Sequence, residues 1–375
     1  MSLARTPTTA ADPASPAKHG VSPPADGANR VGPLGRFVRS RLRIPDRELS
    51  REERGFRLPD PAAVETLAAV PFAFRDGYDA ALDVGRDPQH AELRKRLEGL
   101  PSAQRGFAYE GAAMALALLD ALSIFRKNRW LSFAEGVGQP HLYMVYVGLG
   151  FAAARLRRTR AFARPTLDPH LRWLVLDGYG FHEGFFRGAS EPEKGTPYRE
   201  TSYAQRAFDQ GLGRSLWFVE GAHTEPLVAR IARFDEPRRA DLWSGVGLAA
   251  CYAGAARAVD GEIYRELLDR AAPHGKHFAQ GVAFAAEARE RAGNATETTE
   301  AACRAVWNGS SVFCAELVRR LRENLPGDGR KPAYELWRER VREAWRPSDV
   351  SHTHESQAGA DWREAEVEAE DGAEA

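Results

Sequence analysis

The sequence predicts an all-α protein: a helical bundle or short solenoid built on a pseudo-repeat of about one hundred residues, three helices to a unit. Three observations carry this reading. Apolar residues recur at helical spacing, as in Met114, Leu118 and Leu122 and in Leu242, Val246 and Cys251. Alternating β-branched runs bounded by turn pairs are missing. Short phrases also return at a common offset. Val147-Gly-Leu-Gly-Phe-Ala-Ala153 reappears as Ser244-Gly-Val-Gly-Leu-Ala-Ala250, and Phe181-His-Glu-Gly184 as Phe278-Ala-Gln-Gly281, each 97 residues on by subtraction. Pro140 stands the same distance before Pro237. Matches in several segments at one offset point to an internal repeat.

Taken in order, residues 1–33 form a Pro/Ala-rich stretch too poor in apolar groups to offset ordering entropy, and they read as a disordered tail. Order begins at Leu34-Gly-Arg-Phe-Val-Arg-Ser-Arg-Leu-Arg43, a basic amphipathic helix or turn. Ala103-Gln-Arg-Gly-Phe-Ala-Tyr-Glu-Gly111 is echoed by Ala204-Gln-Arg-Ala-Phe-Asp-Gln-Gly211 and by Ala302-Cys-Arg-Ala-Val-Trp-Asn-Gly309. Leu142–Ala154 is apolar but ends at Arg155, too short to span a bilayer and suited to a buried helix. Asp168-Pro169 and Thr201-Ser202 supply helix starts. Residues 34–346 therefore read as one helical domain with insertions near 188–200 and 323–333, and residues 347–375 as an acidic disordered tail.

Lys+Arg and Asp+Glu are equal at 52 each, so no global field favours nucleic acid or an anionic membrane. Cys251, Cys303 and Cys314 have no CxxC spacing and read as reduced thiols. With no apolar leader and no membrane span, the expectation is a cytoplasmic protein that is not integral to a membrane.

The candidate site centres on Asp177-Gly-Tyr-Gly-Phe-His-Glu-Gly-Phe-Phe186. Each glycine inside a helix costs roughly 1 kcal/mol relative to alanine. Close approach of a helix or ligand is the usual reason for keeping one. A polar residue precedes the recurring glycine in every copy: Asp76, Glu110, Glu183, Gln210, Gln280 and Asn308. Helical neighbours place Glu110 and Glu183 on buried or cavity-facing sides, where each carboxylate must be hydrogen-bonded, paired or held neutral. Arg105, Arg206 and Arg304 are available as structural partners. Other copies carry Ala279-Gln280 or Arg75-Asp76 where His182-Glu183 stands, so the repeat does not require that pair. Glu183, His182 and Glu110 are thus the acid/base candidates.

Other patterns are weaker. Glu220-Gly-Ala-His223 is a single Glu-x-x-His, whereas a carboxylate-bridged di-metal bundle needs two. His274 with His277, and His141, read as capping or exposed histidines. Gly148-Leu-Gly150 and Gly245-Val-Gly247 lack the preceding strand and third glycine of a dinucleotide loop. No metal is expected, and the cofactor is left unknown. Trp130, Trp173, Trp217, Trp243 and Trp307 read as core.

Longer phrases carry a family resemblance: Arg54-Gly-Phe56, Arg105-Gly-Phe-Ala-Tyr-Glu-Gly-Ala-Ala113, Asp177-Gly-Tyr-Gly-Phe-His-Glu-Gly184, Phe208-Asp-Gln-Gly-Leu-Gly-Arg-Ser-Leu-Trp217 and Asp241-Leu-Trp-Ser-Gly-Val-Gly247. Over about residues 34–346 the chain resembles the uncharacterised UnbL-like family, a domain of unknown function conserved in enediyne antibiotic gene clusters. The resemblance implies an accessory role in maturing a linear polyene into the enediyne core. Other conserved pathway proteins would be its partners, and it assigns no catalytic residue. Two expectations follow. One is an enzyme component acting on a polyene or other long apolar molecule through its carboxylates. The other is a non-catalytic scaffold or carrier.

Overall fold

Long apolar helices alternate with shorter polar ones. The computed structural model describes residues 33–57, 63–84, 87, 89–124, 128–188, 203–254 and 260–347. Among the described residues there are helices and no strand, as the sequence predicts. In chain order the helices are α1 (Pro33–Leu42), α2 (Asp46–Leu49), α3 (Val64–Asp83), α4 (Ala91–Glu98), α5 (Ser102–Leu122), α6 (Arg129–Glu135), α7 (Leu142–Arg155) and α8 (Leu174–Arg187). They continue as α9 (Tyr203–Val219), α10 (Thr224–Ala232), α11 (Glu236–Ala253), α12 (Glu262–Arg270), α13 (Gly275–Arg291), α14 (Glu297–Trp307), α15 (Ser311–Arg322) and α16 (Ala333–Ala344). Apart from Pro33 and Pro347, both expected tails lie outside the described residues, as do Thr201-Ser202 and nearly all of the insertion near 188–200.

The long helices α3, α5, α7, α8, α9, α11 and α13 pack each against the next. Helices α4, α6, α10, α12 and α14 lie on the segments that return the chain. Neighbouring long helices run in one direction. Beyond the crossing of Gly180 with Gly211, Gly184 meets Ser215 further along both helices. Beyond Gly247 and Gly281, Arg289 of α13 donates to the Tyr252 carbonyl of α11. The middle turns of the central helices are buried on every face because each has neighbours on both flanks: in α7, Met144 through Ala154 is buried without a break.

One contact geometry makes this row possible. Gly77 of α3 faces Gly111 of α5, and Gly150 faces Gly178, Gly180 faces Gly211, Gly213 faces Gly245 and Gly247 faces Gly281. In each pair a Cβ on either glycine would fall 1.7–2.2 Å from the carbonyl oxygen of the residue three before its partner. Gly148 stands in the same relation to the Glu110 carbonyl, with Ala113 in the facing place. Two glycines two residues apart lie about 200° apart round a helix, so the first serves the preceding helix and the second the following one. Gly178-Tyr-Gly180, Gly211-Leu-Gly213 and Gly245-Val-Gly247 all work this way.

The three-helix unit expected from the 97-residue offset is not confirmed. Crossing glycines 111, 148, 178, 211, 245 and 281 recur once per long helix, 30 to 37 residues apart by subtraction. The glycine of α8 equivalent to Gly281 is Gly178, which meets the preceding helix, and not Gly184, which meets Ser215 and Leu212 of the following one. The phrases around Gly184 and Gly281 are alike in sequence but stand at unequal positions in the packing.

The row curls on itself. Arg289 donates to the Ala103 carbonyl at the start of α5 (2.8 Å), and Asn294 Nδ2 to the Ser102 carbonyl (3.2 Å). Trp130, Trp173, Trp217 and Trp243 are buried as expected, while Trp307 is partly buried and donates to the Ala279 carbonyl. The three cysteines are free and buried. Among the described residues no helix is long and apolar enough to cross a membrane.

The crossing geometry has a direct test. Gly211→Ala forces a methyl group onto the Asp177 carbonyl, backbone against backbone, and is expected to lower stability by about 1–3 kcal/mol or more. Gly329→Ala, where nothing lies within 4 Å, is the control and is expected to be near neutral in the same urea melt.

Candidate functional site

Where a helix meets the one before it in the row, the residue just before the crossing glycine is carried into the interior with it. In α5, α8, α9, α11 and α13 that residue is Glu110, Asp177, Gln210, Ser244 and Gln280, and all five are buried. Four of them form a continuous polar line. Gln210 Nε2 donates to Asp177 Oδ2 (2.9 Å), and Ser244 Oγ lies 3.3 Å from Gln210 Oε1 and 3.4 Å from Gln280 Oε1. The single hydroxyl proton of Ser244 serves one of these at a time.

Helix α16 closes the line with arginines. Arg338 donates to Gln280 Oε1 (3.0 Å), Asp241 Oδ1 (2.7 Å) and Glu335 Oε2 (3.2 Å), and Arg342 donates to Glu335 Oε1 (2.6 Å). Arg206 joins Asp241 (2.9 Å) to Glu335 (2.9 Å). Despite burial, which acts the other way, the arginines around Glu335 hold its carboxyl down at about 2. Buried ions survive only with partners of this kind.

Glu110 lies at the other end of the line and differs. Arg214 is bonded to Asp177, leaving its Nη2 3.7 Å from Glu110 Oε1, an ion pair too long for a hydrogen bond. Glu110 Oε1 has no hydrogen-bond partner. Burial, with Asp177 adding to it against the pull of Arg214, pushes the Glu110 carboxyl up to about 8. Burial also opposes the charge on Arg214, yet Asp177 and Glu110 hold that group above the ordinary arginine value.

The same carboxyl lines a narrow cleft with about 530 Å³ of atom-free space, its mouth included. Phe74, Phe107, Phe151, Phe181, Phe185 and Phe218 make its walls. Residues 46–57 lie across one end. Leu49 lines the cleft, and Arg54 donates to the Phe185 carbonyl while its guanidinium lies 4.7 Å from the Phe56 ring centroid.

The predicted site residues are not brought together. Glu110 is in the cleft, but Glu183 and His182 line neither this cleft nor the second one described below. Glu183 is half-buried and pairs with Arg187 at 3.3 Å. The His182 ring is buried against Phe151 and Phe186, its Nδ1 3.4 Å from Glu183 Oε1 without hydrogen-bond geometry. Burial holds this imidazole below its usual range, against the opposing pull of Glu183. The physical reason is the register of α8: Gly178, not Gly184, is the crossing glycine, so Asp177 and not Glu183 occupies the position equivalent to Glu110.

Of the other polar positions, Asp76 is exposed and Asn308 ends α14 in the left-handed conformation. Arg206 does link acids across helices, whereas Arg105 donates to the Leu100 carbonyl and Arg304 pairs with Glu300 on the surface. Glu220 is held by Arg57 and Arg230. Among the described residues no cluster of three or more His, Cys, Asp or Glu could hold a metal ion. Sequence reasoning missed Asp177, Arg214 and Tyr252. A lone arginine directly after a glycine pair, in an otherwise apolar stretch of α9, was the available signal for Arg214.

Residues 34–345 match the model of a family described as Protein of unknown function (DUF1702). The chain belongs to that family. No curated protein and no solved structure matches it. The DUF1702 match spans every crossing helix and every group of the polar line.

A carboxyl held protonated by burial binds its proton more tightly folded than unfolded, so its contribution to stability falls as pH rises between the two values. Glu110→Gln removes that loss. The melting temperature of the variant minus that of the native chain is expected to grow as pH rises from about 5 to about 8 and to level off above. A difference that stays constant over this range would contradict a neutral buried Glu110.

Proposed function

We propose that this protein binds a linear, apolar, polyene-like molecule in the phenylalanine-lined cleft, with Glu110 as the acid/base group. The observation that carries the reading is a wholly buried carboxyl lining an aromatic cleft with one oxygen unpaired. Such a carboxyl can donate its proton to one carbon of a conjugated chain. The carboxylate so formed takes a proton from another carbon, and the double bonds shift without change of composition and without an oxidant. Arg214 stabilises the carboxylate in the interval. His182 and Glu183 take a supporting place in the last turn of α8, whose Phe185 and Phe186 carbonyls dock Arg54.

The resemblance to UnbL-like proteins supplies the biological setting: an accessory protein of enediyne biosynthesis, working with other conserved pathway proteins. The second reading, a non-catalytic carrier or scaffold, draws on a different observation. Asp177, Asp209, Asp241 and Glu335 are all paired with arginines, as the members of a structural frame would be.

The two readings separate in a producing strain that carries each variant as its only copy. Glu110→Gln, folded by thermal melt, is expected to abolish production, while Glu183→Gln is expected to retain it. Val70→Trp, which fills the cleft, is expected to abolish production under either reading. Full production with Glu110→Gln beside none with Val70→Trp would favour the carrier.

A further inference from the structure

A second cleft lies on the other side of Arg214. It is lined by Met144 and Val147 of α7, Leu174 and Asp177 of α8, Phe284 of α13 and Trp337 of α16, among others. Arg214, Leu248 and Tyr252 line both clefts. Glu110 faces the first and Asp177 the second, and both are paired with Arg214. Away from this point each cleft is almost wholly apolar.

The shared point is built for a ligand atom. Arg214 Nε and Tyr252 Oη are both buried with no hydrogen-bond partner. The Tyr252 hydroxyl occupies space that only a glycine at position 106 leaves open, since a Cβ there would overlap it. Two orphaned donors on residues this deeply buried are costly unless something accepts from them. Charge decides what that is. Arg214 is already neutralised by Asp177, and burial keeps Glu110 protonated. A carboxylate would therefore add an uncompensated buried charge, whereas a carbonyl oxygen accepts both hydrogen bonds and adds none.

We infer that the two clefts are the arms of one bore through the helical ring. Its occupant is an extended apolar molecule carrying a neutral carbonyl part-way along its chain, received by Arg214 Nε and Tyr252 Oη where the arms meet. This rests on the ligand-binding reading of the phenylalanine cleft and adds to it a second arm and a polar anchor. Arm and anchor together select extended over compact molecules, and ketones or esters over fatty acids.

The native chain is titrated calorimetrically with straight-chain ketones of equal length, carbonyl central or terminal, and with the fatty acid of that length. The central ketone is expected to bind at least about tenfold more tightly than the terminal ketone and the acid, the order of one or two buried hydrogen bonds. The infrared carbonyl stretch of the bound, isotopically labelled central ketone is expected at lower frequency than in hexane, with part of that shift lost in Tyr252→Phe. Ala288→Trp, at a partly buried position that lines only the second arm, is expected to weaken the long ketone about tenfold and leave a short ketone that fills one arm unchanged. Ala288→Leu provides a smaller plug should the tryptophan disturb folding. Equal affinity for central and terminal ketones, or tighter binding of the acid, overturns the bore and its anchor while leaving a one-arm cleft intact. Failure of every apolar ligand to bind, short ketones included, overturns the cleft reading as well.

Discussion

Backbone oxygen against backbone carbon, with no side chain between, is the contact on which the rest of this structure depends. Helices normally pack at 8–10 Å because their side chains keep them apart. Here each consecutive pair of long helices meets where a glycine on one receives a carbonyl from the other, reciprocally in every pair except α5 with α7, where Ala113 stands in the place of the second glycine. The cost of a glycine in each helix is offset by packing that no larger residue permits. Because the contact is between backbones, its geometry hardly varies from step to step. That constancy lets parallel helices follow one another round a ring without an accumulating misfit.

Burial of the polar line is a consequence of the same contact. A residue just before a glycine that meets the preceding helix is held close to that helix and away from water. Polar residues at these places must find partners among themselves, and Asp177, Gln210, Ser244 and Gln280 are linked in sequence, with only the Gln280 Nε2 of the line's amide nitrogens left unpaired. Arg338 and Arg342, inserted from α16, supply the positive charge the line needs. A chain of linked buried groups of this kind rigidifies the ring.

Glu110 escapes that pairing because of where Arg214 is spent. The guanidinium is committed to Asp177, and the 3.7 Å left to Glu110 is too long to compensate for its loss of water. One end of the line is therefore electrostatically satisfied and the other is poised. Aromatic walls around the poised end exclude water and keep the carboxyl neutral. A rigid frame that leaves Glu110 Oε1, Arg214 Nε and Tyr252 Oη unpaired around one point is the arrangement expected of a binding or catalytic centre, where local polar satisfaction is given up for function.

The sequence by itself determined the helical class, the inward position of Glu110 and the value of glycine as a marker of close packing. These follow from periodicity and from the chemistry of single residues, which act locally. It did not determine where the helix crossings fall, because Gly178 and Gly184 both stand in phrases that resemble the one around Gly281. Only the packing shows which of them meets the preceding helix. The same ambiguity drew attention to Glu183 in place of Asp177, six residues and nearly two helical turns away. Arg214 and Tyr252 come from helices distant in the chain, and nothing near Glu110 in sequence names them. Which acid is neutralised and which is left proton-bearing depends on one guanidinium choosing between two carboxylates, a choice made by distances that exist only in the folded chain.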